Sequence, residues 1–354
     1  MKIGILTFHR AHNYGAVLQA YALQEYLYSL NQKVEFIDYK NRKLLEVYRW
    51  FNYYRFKTKR IGRVLEEFKL LPYRKRRYEK FDSFINSKLN LSPKNFDLMS
   101  YDVIIIGSDQ VWNTSLTKGY DKMYWGNFIF RKDCKLISYA ASMQDEIKEE
   151  SKDDIKKLLS RFSSISVRET SIAECLRSFV CKDVSVVLDP TLLLTKEQWG
   201  NLCHNRIVKE PYLLFYQVRK NDKAKSIAER VAKQLHLKLI HLSAGIDLHN
   251  SVDVIDSGPI EFVNLFKYAN FVVCTSFHGT VFSIIFNVPF YSVLLNDGKD
   301  SRAVDLLSKL GLADRGIASY EEKELKLEIE WQKVESKLSE LKKDSENYLR
   351  KFIN

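Results

Sequence analysis

Asn270–Val293, NFVVCTSFHGTVFSIIFNVPFYSV, is the stretch from which the fold of this chain is read. Phe271–Cys274 is a short apolar run that stops at Thr275-Ser276 and has the composition of a buried strand. His278-Gly279 follows, and Thr280, Ser283 and Asn287 then break up a helix-length apolar segment ended by Pro289. Phe290–Leu295 reads as the next strand. A histidine at a strand's C-terminal edge, just before a helix N-terminus, sits where open α/β sheets place their ligands. Free N–H groups in that helix's first turn, around Gly279 and Thr280, favour an anion. The local pattern fits equally well a histidine that caps the helix or fills a pocket edge.

The same alternation extends in both directions. Towards the C-terminus, Arg302–Leu310 is helical and ends at Gly311, and Tyr320–Phe352 carries a charged helical pattern. Its apolar points (Ile329, Trp331, Val334, Leu338, Leu341, Tyr348, Leu349) make poor heptads, so it should pack back on the protein rather than form a coiled coil. Upstream, Tyr212–Gln217 and Lys238–Leu242 read as strands, with an amphipathic helix at Asp222–Leu235 between them and another at Glu261–Tyr268. Earlier still, strands at Lys2–Phe8, Val34–Asp38, Asp102–Ile106, Leu136–Ala141, Ser164–Val167 and Ser185–Leu188 alternate with helices at Ala16–Leu30, Asp145–Phe162 and Arg168–Leu176. Two successive β/α halves with polar loops after their strands predict an α/β protein of two Rossmann-like domains facing a cleft. The expected boundaries are 1–195 and 196–315, with 316–354 as helices packing back across both. GxGxxG is absent after the first strand, so there is no dinucleotide fingerprint.

A chain of 354 residues, 45% hydrophobic and 28% charged, has the length of two domains and the composition of a globular enzyme. No apolar run nears the roughly 20 residues that span a bilayer. The opening Met1-Lys2 runs straight into a strand, without a signal-peptide pattern, so a cytoplasmic protein is expected. Five scattered cysteines without a CxxC predict reduced, largely buried thiols and no zinc site. The formal charge of +12 is concentrated between Arg42 and Lys80, where 14 Lys/Arg face four acids among many aromatics. This basic helical insert (42–95) fits contact with an anionic membrane at the inner face through 42–80, or a solvated hairpin with its aromatics turned inward. No nucleic-acid motif accompanies it, and nucleic acid is not an expected partner.

Polar residues cluster after several strands. Asn13 is placed to cap the first helix, and Gly15 would let backbone or ligand approach closely. Gly107–Asn113, GSDQVWN, follows a strand. Arg168 follows another, where a guanidinium can grip carboxylate or phosphate bidentately; a surface pair with Glu169 is the plain alternative.

Seven segments in order resemble the polysaccharide pyruvyl transferase family. They are Thr7–Leu23 (TFHRAHNYGAVLQAYAL), GSDQVWN, Ser138–Ser142 (SYAAS), Ser166–Thr170 (SVRET), LDPTLLL with Trp199, GPIEFV, and Thr275–Tyr291 (TSFHGTVFSIIFNVPFY). The resemblance implies a GT-B-like fold and transfer of the enolpyruvyl group of phosphoenolpyruvate to a sugar, closed into a pyruvate ketal in bacterial capsule or exopolysaccharide synthesis. It implies phosphoenolpyruvate as co-substrate and no resident cofactor or metal. It also implies a saccharide acceptor, for which a galactose-type residue on a lipid or nucleotide carrier is expected. On that model His278 is the general acid or base, Arg168 grips the donor, and Ser276, Gly279 and Thr280 line the anion site. Asp109 would orient or deprotonate an acceptor hydroxyl and, with Ser108, Trp112, His9, His12, Asn13, Tyr14 and Gly15, would face the acceptor. Better-characterised members resemble Arg-x-His at the histidine motif, whereas this chain has Ser276-Phe277-His278. The missing guanidinium would then come from Arg168, Arg219, Arg302 or Arg315. A glycosyltransferase of the same shape using a nucleotide-sugar donor, and a non-catalytic polysaccharide-assembly protein, are the alternative readings.

Overall fold

Lys2–Leu6 (β1), buried along almost its whole length, is the strand on which the first half is built. The computed structural model describes residues 1–50, 61–144, 147–218, 220–246, 251, 254–295, 298, 300–320 and 325–353. After β1 come Tyr14–Ser29 (α1), Lys33–Phe36 (β2), Ile61–Lys88 (α2), Val103–Ile106 (β3) and Lys135–Ser138 (β4). Lys152–Leu159 (α3), Ile165–Val167 (β5), Thr170–Arg177 (α4) and Val184–Val186 (β6) complete this half. The first four strands form a parallel sheet in the order β2-β1-β3-β4, with Ile3 opposite both Val34 and Val103. The β5-β6 pair extends it through bridges at Ile137–Ser164 and Ala141–Val167.

The second half contains Tyr212–Gln217 (β7), Asp222–Gln234 (α5), Lys238–Ser243 (β8), Pro259–Lys267 (α6) and Phe271–Cys274 (β9). It continues with Phe277–Ile285 (α7), Phe290–Val293 (β10), Ser301–Leu310 (α8) and Gly316–Ile317 (β11). Its parallel sheet has the order β11-β10-β9-β7-β8. Each half is therefore Rossmann-like, and the two face a cleft as the sequence predicts. Strand order reverses direction between β1 and β3 in one sheet and between β7 and β9 in the other, and such switch points open crevices at the strands' carboxyl ends.

Helix α1 shows little apolar periodicity because it is enclosed: twelve of its sixteen residues, from Tyr14 to Leu27, are buried. One buried cluster runs through it from Ile3 and Val17 to Phe262 and Phe282, so the two sheets share a core. Trp331–Ile353 (α9) crosses both halves. Its Ser345 hydroxyl accepts Leu188 N–H at 2.9 Å, its Tyr348 hydroxyl donates to Ser138 O at 2.8 Å, and its Glu335 accepts from Asn287 at 2.8 Å. The helix expected from Tyr320 begins eleven residues later. Buried Arg315 donates to the carbonyls of Lys326, at 2.6 Å, and Glu328, and so holds 325–330 outside a helical ladder.

The basic insert differs from a solvated arm. Residues 51–60 lie outside the described residues, but on α2 the buried positions Arg74, Arg77, Phe81, Phe84 and Ile85 make one helical stripe that includes two arginines. Arg77 lies 4.7 Å over the Tyr14 ring and 5.2 Å over Phe81, and donates to Ala244 O in the second half. Arg76 pairs with Asp256, and Lys80 with Asp256 and Glu261 at 3.1 and 3.0 Å. These cations brace the two halves. Among the described residues all five cysteines are free, with Cys134, Cys203 and Cys274 buried and Cys175 and Cys181 exposed, two more exposed thiols than a largely buried set suggests. Among the described residues no helix is long and apolar enough to cross a membrane.

Candidate active site

Both switch points open into one cavity of about 280 Å³. The loops after β1 and β3 supply Asn13, Gly15, Asp109 and Gln110, and those after β7 and β9 supply Val218 and Ser276. Three helices begin at its wall. Asn13 caps α1, its side chain accepting Ala16 N–H, and Ser276 caps α7, accepting Gly279 N–H at 3.3 Å. Asp300 precedes α8, whose second residue is Arg302. Helix starts present N–H groups and the positive end of the peptide dipoles, so their convergence favours an anion.

His278 lies in the first turn of α7 and is 9% exposed. Its Nε2 faces Asp189 Oδ2 at 3.6 Å, an ion-pair distance and too long for a hydrogen bond. Its opposite edge lies against Gly15 in the first turn of α1: a Cβ on Gly15 would fall 2.1 Å from Nδ1 and 2.3 Å from Cε1. With a carboxylate on the Nε2 side, the neutral ring keeps its proton there and leaves the Nδ1 lone pair towards the cavity that Gly15 lines.

Asp189 is fully buried and joins three groups. Its Oδ1 accepts Thr191 N–H at 2.9 Å, and its Oδ2 lies 3.0 Å from Arg168 as well as near His278. Burial alone would raise this carboxyl, but Arg168, His278 and Thr191 outweigh it and hold the acid well below the usual range. Breaking such a pair strands a buried guanidinium. Asp189→Asn is therefore expected to cost about 3 kcal/mol, seen as a lower urea midpoint at pH 7. A depressed folded pKa contributes stability that is complete above the unfolded value near 4 and is lost as pH falls through the folded one. The gap between parent and variant should accordingly narrow below about pH 4, and a gap unchanged by acid would contradict the assignment.

Arg168 donates to Ser108 Oγ at 2.6 Å, while its Nε and Nη1 are buried without a partner among the described residues. Arg302 sits beside it: the two guanidiniums lie 5.1 and 5.8 Å from the Phe277 ring. Arg302 approaches Glu169 at 3.9 Å, and with the Gln110 amide oxygen turned towards it donates from two nitrogens to that one acceptor, at 2.7 and 3.0 Å. Burial and the neighbouring Arg168 lower its pKa from the ordinary arginine value. Burial likewise raises Glu169, against the pull of Arg168, Arg302 and the Ser142 hydroxyl at 2.7 Å. Two guanidiniums thus reach Phe277 of the histidine motif from the β5–α4 connection and from α8. Arg315 is turned away to the carbonyls of 326 and 328, and Arg219 lies outside the described residues.

The structure brings together His278, Arg168, Ser108, Asp109, Asn13, Gly15, Ser276 and Arg302, and turns six expected residues away from the cavity. Tyr14 is stacked on Phe262 with its hydroxyl on Ser257 O at 2.7 Å, and burial raises its phenol to about 12. Trp112 is stacked on Trp125 with Nε1 bound to Tyr124 O at 2.9 Å. Thr280 uses its hydroxyl on Ser292 at 2.9 Å, and Gly279 allows close packing, since a Cβ there would meet Cys274 Cβ at 2.8 Å. His9 and His12 are occupied by Asp38, at 3.4 Å, and Asp82, at 3.2 Å. Asp189, Glu169 and Gln110 were not among the expected site residues, and Glu169 was expected only as a surface partner of Arg168. The only signal was their position after strands, in LDPT, SVRET and GSDQ. No group of metal-ligating side chains occurs among the described residues.

The family model for polysaccharide pyruvyl transferase matches residues 13–297. No curated protein sequence matches the chain. Similar solved structures include the UDP-GlcNAc 2-epimerase from Methanocaldococcus jannaschii, 12% identical over 96% of this chain and 92% of that one, with a TM-score of 0.45. Another is the UDP-GlcNAc 2-epimerase from Neisseria meningitidis bound to UDP-GlcNAc, 12% identical over 100% and 94%, with a TM-score of 0.43. The glycosyltransferase SnogD from Streptomyces nogalater is 11% identical over 99% of both chains, with a TM-score of 0.41. The match over residues 13–297 takes in every residue of the cavity's histidine motif and of the loops after β1 and β3 from Asn13 onward, and the chain belongs to the polysaccharide pyruvyl transferase family of transferases.

Proposed function

We propose that the chain transfers the enolpyruvyl group of phosphoenolpyruvate onto two hydroxyls of a saccharide, closing a cyclic pyruvate ketal during assembly of a capsular or exopolysaccharide. The observation that carries this reading is the placement of Arg302 and the Nδ1 edge of His278 in one cavity where three helices start. Phosphoenolpyruvate brings a phosphate and a carboxylate, and this end of the cavity offers a guanidinium and helix N–H groups to both.

In the reaction a proton reaches C3, C2 becomes electrophilic, and the first sugar hydroxyl forms a C2–O bond as it loses its proton. The C2–O bond to phosphate then breaks, and the second hydroxyl closes the ring. The two hydroxyl protons end on C3 and on the departing phosphate. His278 is the proton carrier for these steps, Asp189 fixes its tautomer, and Arg302 and Arg168 offset the charge of the donor and of the leaving phosphate. No resident cofactor is invoked.

The acceptor is a galactose-type residue on a lipid or nucleotide carrier. The exposed cations Arg42, Lys43 and Arg49 at the start of the insert support a lipid-linked form presented at an anionic membrane face. The test is phosphate release from phosphoenolpyruvate with a panel of galactosides, free in solution and on vesicles with and without anionic lipid. Release that needs both substrates is expected. No release with any acceptor, together with protection against heating by nucleotide sugars alone, would replace this reading with glycosyl transfer.

A further inference from the structure

The carboxylate of Asp189 is held by Arg168, His278 and Thr191, but its backbone is held by a helix that the proposed chemistry does not touch. Among the named strands β6 pairs only with β5, so its other edge has no partner strand. The chain's last bond to the sheet here is Val187 N–H to Val167 O, at 3.0 Å. Amides alternate sides along a strand, so the next one, of Leu188, points to the open edge. There the buried Ser345 hydroxyl of α9 accepts it at 2.9 Å, and donates in turn to Leu341 O, one helical turn back, at 2.9 Å. Both roles of that hydroxyl are therefore fixed. Serine adds nothing to helical propensity, so a buried one inside a helix needs another reason.

α9 reaches the surroundings of Asp189 at two more points. Leu341 and Asp344 wall a small cavity of about 40 Å³ that Asp189 and Arg168 also line. Tyr348 packs 6.2 Å from the Tyr139 ring and donates to Ser138 O, just before Tyr139, at 2.8 Å. Burial, and next the charge of Asp189, push the Tyr139 phenol well above its ordinary value, which places that ring beside the carboxylate. Beyond Asp189 the turn is tied down once more, by Trp199 Nε1 on Thr191 O at 3.0 Å. Leu188 thus sets where Asp189 begins this turn, and with it how far Oδ2 lies from His278 Nε2. A buried N–H left without an acceptor is costly enough that the chain would shift to reach another.

We infer that Ser345 is a positioning residue: from the C-terminal helix it fixes Leu188, and through it the Asp189–His278 distance and the tautomer of the imidazole. The site is thus completed by a helix outside the matched residues 13–297. Ser345 does not itself line the active-site cavity and acts only through Leu188 and Asp189. Calling the histidine pair catalytic rests on the pyruvyl-transfer reading, whereas the positioning itself does not.

The experiment is nitrogen NMR of the imidazole rings on the full chain, the His278 signals being those lost in His278→Asn. It compares the parent with Ser345→Ala and with Val334→Ala, which trims α9 at a buried position about three turns before Ser345. The parent should carry its ring proton on Nε2, on the side of Asp189. Ser345→Ala should lower the ratio of Nε2–H to Nδ1–H forms roughly tenfold, and slow phosphate release by a similar factor with the donor KM little changed. Val334→Ala should lower the melting temperature and leave the ring signals in place. If the alanine chain does not fold, Ser345→Cys, close in volume but a poor acceptor, is read by the same criterion. Parental ring signals in the Ser345 variant overturn the inference, as does an equal change in Val334→Ala. A parent that releases no phosphate counts against the transfer reading and leaves the positioning of the ring standing.

Discussion

Replacing His278 with asparagine is expected to lower turnover by about 10²- to 10⁴-fold while phosphoenolpyruvate still raises the melting temperature of the variant. Asparagine keeps a polar atom close to where Nδ1 sits, and it can accept a hydrogen bond, but it cannot take up and return a proton. It also leaves the cations in place: Arg168 stays 3.0 Å from Asp189, and Arg302 keeps its Gln110 acceptor. The loss should therefore fall on kcat, with the donor KM changed much less. The imidazole also packs edge-on to Phe277 at a 5.1 Å centroid distance, so truncation to alanine would open a cavity and confuse repacking with chemistry. A His278→Asn enzyme that releases phosphate at the parental rate would remove the proton-transfer role altogether.

Much of this site was legible because ligand sites in parallel sheets follow from topology. The residues just after β1, β3 and β9 can be named once those strands are recognised, and Asn13, Gly15, Asp109, Ser276 and His278 all line the cavity. Direction of side chains was not legible. Tyr14 follows Asn13 directly, but as a residue of α1's first turn it faces Phe262 and the second half. Trp112 lies three residues from Asp109 and points into a tryptophan stack. Charge misled in a similar way. Arg74 and Arg77 look in sequence like part of a basic surface, whereas at helical spacing they fall on the buried stripe of α2 beside Phe81. Asp189 escaped because a buried carboxylate is recognisable only through its partners, Arg168 and His278, which come from 21 residues upstream and 89 residues downstream. Arg302 was one of four arginines that could stand in for the one absent at Ser276. Only the packing of α8 against Phe277 separates it from Arg315.

Gly15→Ala is expected to reduce turnover by about 10²-fold although it adds a single methyl group. Gly15 is helical, so strain in the backbone is not the reason; in a helix alanine is favoured over glycine by about 1 kcal/mol. The methyl would instead fall 2.1, 2.3 and 2.7 Å from Nδ1, Cε1 and Cγ of His278. The ring has little room to retreat, since Asp189 lies on its Nε2 side and Phe277 packs T-shaped against it. The histidine must rotate out of line with Asp189, and a displacement near 1 Å is enough for a loss of that size. If Gly15 acts through His278, the two substitutions must fail to add: placing Gly15→Ala in the His278→Asn background should cost little beyond His278→Asn alone. If Gly15 serves instead to let the donor approach the backbone, the losses should multiply and the donor KM should rise in both backgrounds. A double-mutant cycle on kcat and on donor KM separates the two, because a glycine that makes room for an imidazole and a glycine that makes room for a substrate differ in which of those quantities they move.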